Sequence, residues 1–224
     1  MIKVKVCGVT TYENALMVAQ CGVDLLGLNF YKPSPRSINP EDARYLCSQL
    51  RAVMGASCPV LVGVFVNDSV DEVAHILRYV GLDFAQLSGD ESAAMVAELR
   101  GRAFKAIRPM DESVALDDAA YYAPYFPQND HIPSLLIDAY HPGLYGGTGE
   151  GASQTVAQTV KAQVPRMMLA GGLKPENVGE RVRAIQPWGV DTASGVEDGI
   201  PGIKSEAKVK AFVTAAKSIE VAGD

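Results

Sequence analysis

The sequence has no excess of positive charge. It carries 20 Lys and Arg against 26 Asp and Glu, which gives a net charge of −6 at pH 7. Nucleic acids and anionic membranes select for basic surfaces, so we expect neither as a partner. A local basic pocket for a small anion is still compatible with this balance.

Long apolar runs and paired cysteine motifs are also missing. The apolar segments are too short to span a bilayer, and the first of them lacks the extended hydrophobic region of a signal peptide. None of the cysteines has C-x-x-C spacing, so neither a zinc site nor a redox pair is predicted. They are Cys7, Cys21, Cys47 and Cys58. We therefore expect a cytoplasmic protein with reduced thiols and no bound metal.

What the sequence does contain is a regular alternation of short apolar runs with helix-like segments. The apolar runs are 3–6, 24–30, 59–66, 83–87, 104–108, 134–138, 166–172 and 189–193. Strict alternation of this kind requires a parallel sheet. Eight such units in 224 residues fit a closed barrel better than an open sheet. The first turn also lacks the G-x-G-x-x-G of a dinucleotide site.

We therefore predict an α/β fold, a (β/α)8 TIM barrel formed by residues 1–224 as a single domain. The fourth helix is expected to begin at Glu91. Active sites of such barrels lie at the C-terminal ends of the strands, so the residues at these ends are the candidates for chemistry.

Three side chains at the strand ends carry reactive or charged groups. Strand one delivers Cys7, and strand six ends at Asp138, a carboxylate that is costly to bury unless it is paired. Arg36 follows strand two in an S-P-R turn, where its fork of N–H donors suits a carboxylate or a phosphate. The residues alone leave a second interpretation for each: a packing cysteine, a helix-capping aspartate and a solvated loop arginine.

Small residues follow the last two strands: Gly171 and Gly172 after strand seven, and Ser194 and Gly195 after strand eight. Loops at these positions of a barrel commonly bind phosphate through backbone N–H groups, and close approach favours a residue without Cβ. Each pair could serve an ordinary turn, but together they favour phosphate. The candidates thus indicate a small anionic substrate handled by acid–base chemistry.

A thiol that acts as a base at position 7 would need a lowered pKa, since free cysteine has a pKa of about 8.5. Lys5 or neighbouring backbone N–H groups could lower it. No histidine is an obvious activating partner for Cys7, which weakens a Cys–His hydrolase. The other three cysteines lie in or beside helices and are expected to pack.

Eight blocks of sequence, spread over almost the whole chain, carry a more specific signal. They are VKVCGVT (4–10), SPRSI (34–38), VGVFVN (62–67), QLSGDE (86–91), KAIRP (105–109), LLIDAY with GGTGEG (135–151), LAGGLKPENV (169–178) and GVDTASGVEDGIPGIK (189–204). Together they resemble the phosphoribosylanthranilate isomerase family of tryptophan biosynthesis, although no block alone would be specific.

The resemblance implies an Amadori rearrangement of N-(5-phosphoribosyl)anthranilate to 1-(2-carboxyphenylamino)-1-deoxyribulose 5-phosphate, an aldose–ketose isomerisation. In that family the cysteine of the K-x-C-G block is the general base, which implies that Cys7 removes the proton from C2 of the sugar. The aspartate closing strand six is the general acid, which implies that Asp138 protonates the ring oxygen. Arg36 would bind the anthranilate carboxylate. The phosphate would lie on Gly171, Gly172, Ser194 and Gly195, and no metal or redox cofactor is needed.

The chain departs from the family pattern at two places. Ser88 stands where the family commonly has histidine in Q-L-H-G, and 150–153 replaces a basic residue that is followed by an aromatic and Asp-Trp. Two alternatives stay open: a histidine-pathway aldose–ketose isomerase, and a catalytically silent barrel that binds a phosphorylated ligand. The first has aspartate as its strand-one base, so Cys7 weighs against it, and the joint presence of Cys7, Asp138 and Arg36 weighs against the second. The expected partner is a phosphorylated small molecule, and the chain is expected to be a monomer or a homodimer.

Overall fold

A computed structural model of the protein describes residues 1–138 and 154–219. Its strands are β1 (Lys3–Cys7), β2 (Leu25–Asn29), β3 (Val60–Phe65), β4 (Phe84–Leu87), β5 (Ala103–Ile107), β6 (Leu135–Ile137), β7 (Met167–Leu169) and β8 (Gly189–Thr192). Each strand pairs in parallel with the next, and β1 pairs with β8, so the sheet closes on itself. The (β/α)8 barrel predicted from the sequence is confirmed.

A helix follows each strand. The helices are α1 (Tyr12–Gln20), α2 (Pro40–Met54), α3 (Val70–Val80), α4 (Ala93–Glu98), α5 (Glu112–Tyr122), α6 (Gln154–Gln163), α7 (Pro175–Ile185) and α8 (Glu206–Lys217). Side chains of Thr11, Asn39 and Ser69 each accept a backbone N–H from the first turn of α1, α2 and α3. Such caps satisfy amide groups that have no partner within the helix, and they set where each helix begins. Within the described residues, the helices are all too short or too polar to cross a membrane.

The fourth helix begins two residues later than expected. Ser92 caps α4, and Glu91 is buried in the loop before it. The Glu91 carboxylate accepts the backbone N–H of Asn67 at 2.8 Å and lies 3.1 Å from Lys105 Nζ. A buried lysine needs an anionic partner, so Glu91 is held in the loop by this pair. The expectation that Glu91 starts the helix was wrong.

Two apolar cores result from the alternation of side chains along the strands. The larger lies between the barrel and the helices, and the smaller fills the barrel interior with Leu25, Val62, Phe104, Leu136 and Met168. A (β/α)8 barrel is therefore solid, not a pore. Ala106 and Ala170 belong to the interior core and also line the cavity above it. The packed interior thus forms the floor of that cavity.

Candidate active site

A cavity that opens to solvent lies at the C-terminal ends of the strands. Seven residues proposed from the sequence line it together: Cys7, Arg36, Asp138, Gly171, Gly172, Ser194 and Gly195. They follow or end β1, β2, β6, β7 and β8, so closure of the barrel brings them to one place. Cys21, Cys47 and Cys58 do not line this cavity, in agreement with their expected packing role.

Cys7 is the last residue of β1 and lies opposite Gly27 of β2. A Cβ on Gly27 would be 2.7 Å from Cys7 Sγ, so the glycine makes room for the thiol. Burial raises the pKa of Cys7, and the charge of Lys5 counteracts this rise only in part. Lys5 therefore acts on the thiol pKa in the direction considered from the sequence, but the net shift is upward because loss of water outweighs the neighbouring ammonium group.

Lys5 lies two residues before Cys7, on the same face of β1, and its side chain is fully buried. Its Nζ is 2.9 Å from Asp191 Oδ2, and the two residues are in register across β1 and β8. Burial disfavours the ammonium group, but Asp191 and Cys7 together outweigh burial, so the pKa of Lys5 is raised. A buried ion pair thus lies directly beneath the candidate base.

Asp191 is a candidate that the sequence analysis missed. Its Oδ1 is buried and accepts no hydrogen bond from any described residue, and the side chain lines the cavity. A buried acceptor without a donor is costly, and a hydroxyl group of a bound ligand would supply one. The available signal was an acid inside an otherwise apolar strand, two residues before the expected strand end.

Arg36 is anchored instead of lying free in solvent. Its backbone N–H donates to Ser34 Oγ at 3.2 Å. Its guanidinium donates from Nε to Glu197 Oε1 at 2.7 Å and from Nη2 to Glu197 Oε2 at 2.8 Å. Gly8 has a φ of +72°, and a Cβ there would lie 2.8 Å from Arg36 Cδ. The interpretation of Arg36 as a solvated loop residue was wrong.

Asp138 follows β6 directly. Its backbone N–H donates to the Ile107 carbonyl at 3.0 Å, which continues the β5–β6 pairing by one residue. This bond fixes the main chain at the point where the half-buried side chain meets the cavity. The loop that comes next, with the GGTGEG block and the departure at 150–153, lies outside the described residues.

The two glycine segments have the geometry that close approach to a ligand requires. Gly171 and Gly172 have φ of +89° and +61°, which side chains rarely adopt. Their N–H groups donate to no carbonyl among the described residues. A Cβ on Gly195 would lie 1.9 Å from the Leu173 carbonyl oxygen. The loops after β7 and β8 therefore touch, and only glycine fits at the contact.

The β4–β5 side of the cavity is lined by Gln86, Ser88 and Arg108. Gln86 Nε2 donates to Ser88 Oγ at 3.1 Å, and the buried Gln86 Oε1 has no donor among the described residues. Arg108 Nη2 lies 4.0 Å from Asp90 Oδ1. Across residues 1–138 and 154–219, there is no group of three or more His, Cys, Asp or Glu side chains suited to hold a metal ion.

The sequence and fold of this chain were compared with those of known proteins. The sequence model of the N-(5'-phosphoribosyl)anthranilate isomerase family matches residues 4–215. The chain belongs to this family. A relative from Roseiflexus sp. RS-1 with that name is 41% identical over 221 residues, which covers 97% of this chain and 99% of the relative. One from Chlorobaculum tepidum is 40% identical and covers 98% and 97%.

Solved structures of phosphoribosylanthranilate isomerases are similar throughout. The Thermotoga maritima enzyme is 30% identical, with a TM-score of 0.83 over 98% of this chain and 100% of that one. The Thermus thermophilus enzyme is 32% identical, with a TM-score of 0.81 over the same shares. A further structure in this family, 29% identical with a TM-score of 0.80 over 98% and 100%, holds reduced 1-(o-carboxyphenylamino)-1-deoxyribulose 5-phosphate. The family resemblance seen in the sequence is confirmed.

Proposed function

We propose that this member of the phosphoribosylanthranilate isomerase family uses Cys7 as general base and Asp138 as general acid. The reaction is the Amadori rearrangement of N-(5'-phosphoribosyl)anthranilate to 1-(2-carboxyphenylamino)-1-deoxyribulose 5-phosphate in tryptophan biosynthesis. One observation carries the proposal: a thiol, a carboxylate, an arginine and two glycine loops line the same cavity in a chain of this family. The partner is then a phosphorylated small molecule.

The two groups supply the two proton transfers that the reaction needs. Asp138 gives its proton to the ring oxygen as the bond between that oxygen and C1 breaks, which leaves an iminium at C1. The Cys7 thiolate then removes the proton from C2, and the electron pair of that bond neutralises the iminium to give an enolamine. The ketone forms when a proton returns to C1 and the C2 hydroxyl loses its own. Cys7 ends β1, Asp138 follows β6, and both line the cavity, so a substrate that spans the cavity meets both.

The raised pKa of Cys7 has a definite consequence for a general base. Burial reduces the fraction of thiolate at neutral pH, but it also makes each thiolate a stronger base toward a weakly acidic C–H bond. Lys5 offsets part of the burial effect, so the thiol loses its proton more easily than it would without this charge. The buried lysine is therefore a partner of the base and not a second base.

The remaining residues hold the substrate at its two ends. Arg36 meets the anthranilate carboxylate with a planar pair of N–H donors. The glycine loops after β7 and β8 present backbone N–H groups to the phosphate. A side chain at Gly195 would force the two loops apart at their contact. The free Oδ1 of Asp191 accepts a sugar hydroxyl between these ends. The ligand held by the 29% identical structure carries all three groups.

The test is turnover of freshly prepared phosphoribosylanthranilate, followed by the loss of its fluorescence. Cys7→Ser and Asp138→Asn are each expected to lower kcat by about 10²- to 10⁴-fold, the usual contribution of a positioned acid or base. Cys21→Ser is the matched control, since Cys21 caps the C-terminus of α1 and does not line the cavity. Absence of turnover by the unmodified protein, or full activity of both variants, would contradict the proposal.

A further inference from the structure

Glu197 is the centre of a buried charge cluster beside the cavity, and the mechanism above gives it no role. It is 6% exposed and does not line the cavity itself. Besides the two bonds from Arg36, its Oε1 accepts the backbone N–H of Gly202 at 2.8 Å and lies 2.9 Å from Lys204 Nζ. Its carboxylate is thus satisfied by the protein alone, and any effect on a ligand has to pass through a neighbour.

The neighbour that reaches the cavity is Arg36. A guanidinium carries five N–H donors in one plane. Glu197 takes the two on the Nε–Nη2 edge, and the other three, on Nη1 and the outer side of Nη2, donate to no described residue. These three include the pair that a planar carboxylate accepts as two parallel hydrogen bonds. The fork is therefore held from one edge and open at the other.

The charges of the cluster keep this open edge cationic. Arg36 and Lys204 carry two positive charges against one negative charge on Glu197, so one positive charge is left for an anionic ligand. Burial works to raise the pKa of Glu197, but hydrogen bonds from Arg36 and Gly202 and the charge of Lys204 hold it at about 2. The carboxylate is therefore charged at any physiological pH, and without it two cations would face each other.

Lys204 ties the same cluster to the loop after β8. Its Nζ donates to the Ala193 carbonyl at 3.0 Å, next to the Ser194–Gly195 turn. Its backbone N–H and carbonyl are both bound by the side chain of Asn14 on α1, at 2.7 and 3.0 Å. Through Lys204, Glu197 is therefore tied both to the loop after β8 and to α1, which restricts the motion of the carboxylate that holds Arg36.

We propose that Glu197 is a positioning residue that orients Arg36 toward the carboxylate of the substrate. The proposal rests on the proposed function, in which Arg36 binds that carboxylate. An arginine side chain has several rotatable bonds, and it loses conformational entropy when a ligand orders it. Glu197 already holds Arg36 in one orientation before the substrate binds, so ordering the arginine does not weaken binding further.

The test compares two ligands in binding calorimetry. One is reduced 1-(o-carboxyphenylamino)-1-deoxyribulose 5-phosphate, and the other is the matching phenylamino compound without the carboxyl group. The unmodified protein is expected to prefer the first by about tenfold or more, since a charged hydrogen-bonded pair is lost with the second. Glu197→Gln and Arg36→Ala are both expected to lose most of that preference while keeping their affinity for the carboxyl-free ligand.

Two further variants keep the test decisive. Glu197→Asp retains the charge one methylene shorter and is expected to give an intermediate preference, and it serves if Glu197→Gln does not fold. Glu206→Gln is the control, since Glu206 is exposed on α8 and pairs with the equally exposed Lys210. Its preference is expected to equal that of the unmodified protein.

The outcomes separate this proposal from the proposed function. If Arg36→Ala keeps the preference, Arg36 does not bind the carboxylate and the assignment of its role falls. If Arg36→Ala loses the preference while both Glu197 variants keep it, the role of Glu197 is refuted and that of Arg36 stands. Equal weakening of both ligands in the Glu197 variants would make Glu197 a purely structural residue, which also overturns the proposal.

Discussion

The buried ion pair beneath Cys7 leads to a quantitative prediction. Lys5 is fully buried, Asp191 is 7% exposed, and their charged atoms are 2.9 Å apart. Removing one partner of such a pair leaves an uncompensated buried charge, which typically costs about 3–5 kcal/mol. Lys5→Met and Asp191→Asn are each expected to lower the free energy of unfolding by that amount. The double variant leaves no unpaired charge, so its loss is expected to fall short of the sum by about 2 kcal/mol or more.

Urea unfolding of the four proteins measures this coupling. Lys3→Met is the matched control on the same strand, because Lys3 is 37% exposed where it pairs with Asp24, and such surface pairs contribute about 1 kcal/mol or less. Strictly additive losses for Lys5 and Asp191 would refute the reasoning, since two groups that stabilise each other cannot act independently.

The same variants are expected to move the titration of the thiol in opposite directions. Lys5 lowers the pKa of Cys7 and Asp191 raises it, against a larger effect of burial. The pKa of Cys7 is therefore expected to rise in Lys5→Met and to fall in Asp191→Asn. The pH dependence of alkylation, read from the peptide that contains Cys7, measures both shifts. Shifts in the same direction would show that the pair does not act on the thiol through its charges.

Two more predictions concern the other side of the cavity. Gly195→Ala places a Cβ 1.9 Å from the Leu173 carbonyl oxygen. Because a misplacement of about 1 Å can lower a reaction rate by about 10²-fold, we expect a loss of that order in kcat/KM for phosphoribosylanthranilate. Gly179→Ala, whose nearest contact is 3.5 Å, should keep the unmodified kcat/KM, and an equal loss in both variants would contradict the reasoning. The pKa of Glu197 falls from 4.5 unfolded to about 2 folded, so its stabilisation is complete above pH 4.5 and is lost as the pH falls toward 2. After discounting for screening by solvent this is about 1–3 kcal/mol, and the stability difference between the unmodified protein and Glu197→Gln should shrink over that pH range in acid unfolding; a constant difference would contradict the assignment.

The fold could be predicted because a parallel barrel is encoded locally. Each unit needs only a short apolar run, a cap and an amphipathic helix, and caps such as Ser69 with Glu72 are visible in the sequence. Positions at the rim follow from the strand ends, which is why Cys7 and Asp138 could be placed in one site before any coordinates. Their chemical roles remain proposals that the variants above test.

Contacts across the closed sheet could not be predicted. Lys5 meets Asp191 only because β1 and β8 pair in a particular register, and the sequence does not state that register. The same holds for Glu91, which looks like a helix start until Lys105 is seen beside it. Arg36 likewise gains its fixed orientation from Glu197, 161 positions away. Charges paired over long range were therefore the part that sequence reasoning missed or misplaced.

The central claim is that Cys7 is the general base and Asp138 the general acid. A deuterium isotope effect in a single turnover, with substrate that carries deuterium at C2, tests this assignment most directly. In Cys7→Ser, removal of the C2 proton becomes the slow step, so deuterium is expected to slow the loss of fluorescence. In Asp138→Asn, ring opening becomes the slow step, so deuterium is expected to leave the rate unchanged. The reverse pattern, or the same isotope effect in both variants, would contradict the assignment of base and acid.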